Sequence, residues 1–157
     1  MNWDAISAVA ESLGALGVIA SLIYLAVQLK SNALASSVES KIATVKMLTE
    51  FNDKFIHYPE LYDLWTKGKS GTEKLTDKEY AQFSGLNMNG LWCVSAGYYQ
   101  KVVGKLSEGD WIEMESILDS WMKSEGIRRW WTRHAGPRLN PDFVAYVNSK
   151  YEIDTDA

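Results

Sequence analysis

The sequence predicts an all-α protein, with a long N-terminal transmembrane helix that continues into a small cytoplasmic helical domain. Three observations carry this expectation. Residues 5–29 form an apolar run interrupted by one charge, Glu11. No glycine or proline occurs between Gly17 and Pro59, so nothing in that interval forces a helix to stop. Beyond it, apolar residues recur at steps of three and four, and no stretch shows the strict alternation of a half-buried strand. The predicted organisation is a membrane helix over residues 1–30 and a helical domain over residues 31–157.

The apolar run is long enough to span a bilayer. Its twenty-five residues extend roughly 37 Å as a helix, against a hydrocarbon core of about 30 Å. Eleven of them are Leu, Ile or Val. Each contributes about −0.3 to −0.6 kcal/mol to insertion, and one acid away from the centre costs at most about 3 kcal/mol. Insertion therefore wins by a modest margin. Trp3 stands where an interfacial aromatic belongs, and Lys30 marks the other end. Ala33-Leu34-Ala35 resembles a signal-peptidase site, but Asp4 without any Lys or Arg before the run has the wrong sign for a secretory leader. Two readings stay open, a membrane anchor and the buried central helix of a soluble bundle. Under the first, Lys30, Lys41 and Lys46 place the bulk of the chain in the cytoplasm, with the N-terminus outside.

Within this helix Ser7, Gly14, Ser21 and Gln28 recur every seven residues, and Glu11 and Gly17 fall on the same side. Small and polar residues on one face let membrane helices approach and hydrogen-bond. That face is the expected surface for helix association, with Glu11 turned away from lipid. Leu34, Val38, Ile42, Val45, Leu48, Phe51 and Phe55 then continue an apolar stripe, so one helix is expected to about His57. Ser31-Asn32 is its weak point.

Pro59 suits the first turn of a short helix ending at Gly68, and KSGTEKLT reads as a loop. Thr76 with Glu79 forms a capping-box pattern that opens a helix to about Val103, and Gly104 is its stop. Gly85, Gly90 and Gly97 inside that helix are expected to permit close packing. Ser107 with Asp110 caps the next helix, with Leu106 and Trp111 placed as a hydrophobic staple. Its stripe is Trp111, Met114, Leu118 and Trp121, and Gly126 is expected to end it. IRRWWTRHA and a break at Gly136-Pro137 follow. Asn140-Pro141 opens a last helix with Phe143, Val147 and Tyr151 on one face, before an acidic tail expected to fray.

Composition removes most motif-readable functions. Sixteen basic against twenty acidic side chains give a net charge of −4, which argues against nucleic acid as a partner. One cysteine, Cys93, excludes an internal disulfide and a Cys-rich zinc site. Glu50, Asp53, His57 and Glu60 resemble half of a di-iron ligand set, but no second Glu-x-x-His helix exists to complete it. Gly68-Lys69-Ser70-Gly71 lacks the upstream glycine and strand of a phosphate loop. Cys93 reads as a small core hydrophobe. No catalytic residue, cofactor or metal is expected, and the chain is read as a non-enzyme.

Arg128, Arg129 and Arg133, interleaved with Trp130 and Trp131, form the second candidate site. Arg and Trp together suit contact with anionic lipid headgroups or another anion. The competing reading pairs the arginines with the acidic stretch of residues 108–119, within the chain or between subunits, and buries the tryptophans. The expected role is structural or accessory, with self-association or entry into a larger membrane assembly. A small conducting or proton-handling oligomer using Glu11 is the alternative.

The opening WDAISAVAESLGALGVIASLIYLAVQLKSN, with YYQKVVGKL, RRWW and PDFVAYV, resembles a family of small bacterial proteins that have one N-terminal membrane helix and a Trp-rich helical domain. The resemblance implies membrane topology and no particular reaction. The family's acidic-Asn pair before the YYQ stretch is replaced here by Val94-Ser95.

Overall fold

The computed structural model describes residues 3–135 and 138–154. They fold into six α-helices and one 3-10 turn, with no strand among the described residues. The chain divides into two units between Glu39 and Ser40. The expected break at Gly136-Pro137 and the end of the acidic tail lie outside the described residues.

Helix α1 runs unbroken over Trp3–His57. Ser31 and Asn32 do not interrupt it, because their small propensity cost is outweighed by good helix formers on both sides. In the first unit every side chain described from Ser7 to Ala35 is exposed. The most apolar window has a mean hydropathy of 1.9 and no buried residue.

The second unit begins with the last turns of α1. Leu48, Phe51 and Phe55 turn inward, and Phe51 packs on Trp65 and Trp121 with ring centroids at 6.3 and 5.6 Å. Ile42 and Val45, on the same stripe, remain more than half exposed. The stripe is therefore only partly used within the chain.

Helix α2 (Pro59–Ser70) starts on its proline, which lacks the N–H that a first turn leaves unpaired anyway. The expected loop contains a 3-10 turn at Thr72–Lys74. Helix α3 (Asp77–Val102) opens on a complete capping box. Glu79 accepts the Thr76 backbone N–H at 2.8 Å, and its own N–H donates to the Thr76 hydroxyl. Lys67 at 2.7 Å, reinforced by Thr76, pulls the Glu79 carboxyl down to about 2. Gly104 ends the segment at φ +72, where a side chain would be strained.

Of the three glycines in α3, two behave as expected. A side chain at Gly90 would run into the Trp121 ring, and one at Gly97 into the Met114 thioether. Gly85 has open space above it, so packing does not account for it. Gly85→Ala is expected to stabilise the protein by up to about 1 kcal/mol, the helix-propensity difference. A shift of the urea midpoint to higher denaturant checks this.

Helix α4 (Glu108–Met122) is capped by Ser107, whose hydroxyl accepts the Asp110 N–H at 3.1 Å. It ends at Met122, before Gly126. Gly126 instead lies inside α5 (Glu125–His134), where a side chain would fall on the Gly68 carbonyl of α2. Its role is close backbone approach and not termination. Helix α6 (Pro141–Lys150) is capped by Asn140 and buries Phe143 and Val147.

The core is largely aromatic. Phe51, Trp65, Phe83 and Trp121 form one run of touching rings, and Tyr98, Trp111, Tyr146 and Phe143 form another. Edge-on and tilted geometries dominate, as the ring quadrupoles favour.

Candidate functional site

The predicted association face lies wholly on the first unit of α1. Ser7, Glu11, Gly14, Gly17, Ser21 and Gln28 are all exposed, and nothing stands within 4 Å of a side chain built at Gly14 or Gly17. A seven-residue repeat drifts about 20° per heptad on a straight helix, so these residues trace one slowly turning stripe. Not all of their polar groups lack partners. The Ser21 hydroxyl donates to the Gly17 carbonyl at 2.8 Å, so the helix itself satisfies it. Glu11 and Gln28 make no such bond among the described residues.

The second predicted site needs correction at its tryptophans. Trp130 and Trp131 are fully buried core side chains. Their indole N–H groups donate at 2.8 Å to the Ser84 hydroxyl and the Asn148 side-chain oxygen. Neither ring is free to reach a headgroup. The cause is the helical period: Gly126, Ile127, Trp130 and Trp131 share the inner face of α5, which turns Arg128, Arg129 and Arg133 outward.

The burial of both tryptophans is what the competing reading expected, but within the described residues of the chain the arginines do not pair with α4. Arg128 donates to the Tyr151 carbonyl at 3.0 Å, while Arg129 sits between Glu73 and Glu125 at 3.4 and 2.5 Å. The acids of α4 take other partners. Lys41 pairs with Asp110, and Lys101 with Glu108 at 3.2 Å. Lys150 bridges Glu115 and Asp119 at 2.6 and 3.1 Å. The Tyr146 and Tyr151 hydroxyls donate to the same two carboxylates. The Tyr151 bond holds Asp119 below the usual carboxylate range, and burial pushes the Tyr151 phenol well above its own.

Cys93 is half-buried, and its thiol donates to the Asn89 carbonyl at 3.3 Å. Burial raises its pKa, which leaves it protonated and weakly nucleophilic. Among the described residues no group of three His, Cys, Asp or Glu is arranged to hold a metal. Gly68-Lys69-Ser70-Gly71 falls at the C-terminal end of α2, where carbonyls and not N–H groups face outward.

The fold brings together one constellation that the sequence does not announce. Tyr80 on α3 and His134 at the end of α5 share a hydrogen bond of 2.7 Å between the phenol oxygen and Nε2. Burial lowers the His134 pKa, and the charges of Arg138 and Arg133 lower it further, so the ring is neutral near pH 7. The pair helps line a shallow, open depression of about 500 Å³, together with Gly85, Trp92 and Arg138. Fifty-four residues separate Tyr80 from His134, and no spacing rule joins such partners in advance.

One polar side chain in the core is also unaccounted for. Asn87 on α3 is fully buried, and neither of its amide atoms finds a partner among the described residues. A buried unpaired polar group costs about 1–3 kcal/mol. Asn87→Leu keeps the shape and removes that cost, so it is expected to stabilise the protein by about 1 kcal/mol or more. Thermal unfolding of the pair of proteins checks this, and a lower midpoint for the leucine variant would contradict it.

Comparison with protein-family models, with curated proteins and with solved structures finds no match.

Proposed function

We propose that the chain is a membrane-anchored accessory protein that self-associates or joins a larger membrane assembly. In this reading α1 crosses a bacterial inner membrane with its N-terminus outside, and the second unit faces the cytoplasm. The chain is then a member of the small bacterial family that its sequence resembles. The observation that carries the reading is the complete exposure of the apolar window of α1. Each buried Leu, Ile or Val is worth about 1.5–3 kcal/mol, and soluble monomers rarely expose contiguous apolar patches beyond a few hundred Å². Leu13, Leu16, Val18, Ile19, Leu22 and Ile23 all lie in the open, far more apolar surface than a water-soluble monomer carries. A lipid environment removes that cost.

Self-association draws support from two surfaces. One is the stripe from Ser7 to Gln28, which leaves room for a close neighbour at Gly14 and Gly17. The other is the apolar stripe of α1 beyond Lys30, where Leu34, Val38, Ile42 and Val45 are each at least half exposed.

Alkaline carbonate washing of membranes tests the anchor. The full-length chain is expected to stay with the membrane pellet, and a chain beginning near Ser31 is expected in the supernatant. Recovery of the full-length protein in the supernatant would overturn the reading.

A further inference from the structure

Gly85 is the odd residue of α3. A glycine inside a helix costs about 1 kcal/mol against alanine, and Gly90 and Gly97 offset this by admitting Trp121 and Met114. Gly85 admits nothing from the described residues. It is exposed, its missing side chain would meet no atom within 4 Å, and it lines the depression described above. Its position keeps the space over the helix backbone open.

The lining of that space has a definite chemistry. Trp92 stands 54% exposed and makes no ring contact among the described residues, while Met88 beside it is buried in the core. The Arg138 guanidinium makes no hydrogen bond or ion pair among the described residues, and its charge is felt instead as repulsion at His134. The Tyr80 and His134 pair adds polar ring edges on the same side, held in place by the 2.7 Å bond between them. The ring of His134 is further backed by Trp130, with centroids 5.6 Å apart. The depression therefore combines the exposed Trp92 face, an Arg138 cation without a partner among the described residues and the hydrogen-bonded Tyr80–His134 edge around a helix position that has no side chain.

We propose that the depression over Gly85 is a binding site for a small aromatic anion, a flat ring that bears one carboxylate or phosphate group. The ring lies over Gly85 against Trp92, and the anionic group meets Arg138. Such a ligand offsets the uncompensated charge of Arg138 and covers apolar surface that water otherwise wets. The site is separate from the membrane reading and stands or falls without it.

The chain has only two histidines, His57 and His134, which makes their ring Cε1–H signals a clean probe. The experiment titrates phenyl phosphate into the full-length protein in non-ionic detergent and follows both signals by NMR. A saturable shift at His134, with His57 unmoved, is expected. Benzoate in its place tells whether carboxylate is accepted as well as phosphate. Inorganic phosphate and benzyl alcohol, each carrying half of the recognised chemistry, are expected to bind at least about tenfold more weakly. Arg138→Gln is expected to weaken phenyl phosphate about tenfold, the usual effect of losing one charge-assisted hydrogen bond. Gly85→Leu fills the depression without straining the helix and is expected to abolish the shift. No His134 shift with either aromatic anion overturns the proposal. A shift that survives Gly85→Leu, or one matched by inorganic phosphate alone, also overturns it.

Discussion

Valine at position 126 is expected to unfold much of the second unit, with a cost of about 3 kcal/mol or more, at the upper end of overpacking effects. The reason lies in what Gly126 touches. A side chain there would fall on the Gly68 carbonyl oxygen and close to that of Lys69. Both are backbone atoms of α2 and cannot rotate away. At Gly90 and Gly97 the obstruction is a side chain, which can give. To admit valine, α5 must withdraw from α2, and with it go Ile127, Trp130 and Trp131, all fully buried. Domains are stable by only about 5–15 kcal/mol, so this is a large fraction of the total. Tryptophan fluorescence against urea is the suitable measurement. Trp65, Trp111, Trp121, Trp130 and Trp131 are buried, whereas helicity also reports α1. A wild-type midpoint for Gly126→Val would contradict the close approach of α2 and α5.

Gly126 also shows where reading from sequence stops. A glycine a few residues past an apolar stripe is a common helix end, and by local pattern Gly126 is indistinguishable from Gly104. Gly104 does carry the positive φ of such an end, whereas Gly126 serves a helix far away in sequence. The elements that were legible are those fixed by local physics. The unbroken α1, the Thr76 capping box, the Ser107 cap and the Asn140-Pro141 start each depend on residues within a few positions of one another.

The same divide governs the sites. The stripe from Ser7 to Gln28 is a periodic feature of one helix and can be read directly. The Arg-Trp segment misleads because composition suggested an interface, while the helical period places Trp130 and Trp131 in the core. That period was itself present in the sequence: Ile127, Trp130 and Trp131 fall at the spacings of one buried face. Asn87 and the Tyr80–His134 pair gave no such signal. One is an ordinary polar residue whose burial follows from tertiary packing, and the other joins groups from α3 and α5.

Leucine at Gly14 or Gly17 is expected to shift the detergent-solubilised protein toward smaller species, and the same replacement at Ile19 should leave its size unchanged. Gly14 and Gly17 sit on the stripe with Ser7, Glu11, Ser21 and Gln28, and no atom of the chain covers them. Leucine there does not disturb the helix, for which it is the better residue. It acts only on a neighbour, by holding the second backbone away. Ser21 weighs little in that contact, since its hydroxyl is already bonded to the Gly17 carbonyl. Glu11 and Gln28 weigh more, because lipid offers their side chains no hydrogen-bond partner. Polar contacts between membrane helices average only about 0.6 kcal/mol each, so two or three of them do not hold a dimer alone. In the proposed assembly the exposed apolar residues Leu34, Val38, Ile42 and Val45 on the same helix would supply the remaining contact area. Replacing Ile42 and Val45 by serine should therefore weaken assembly in the same direction as the glycine variants. Crosslinking combined with mass measurement in gentle detergent checks both sets. A wild-type monomer with no partner attached, or glycine variants indistinguishable from wild type, would refute the association face.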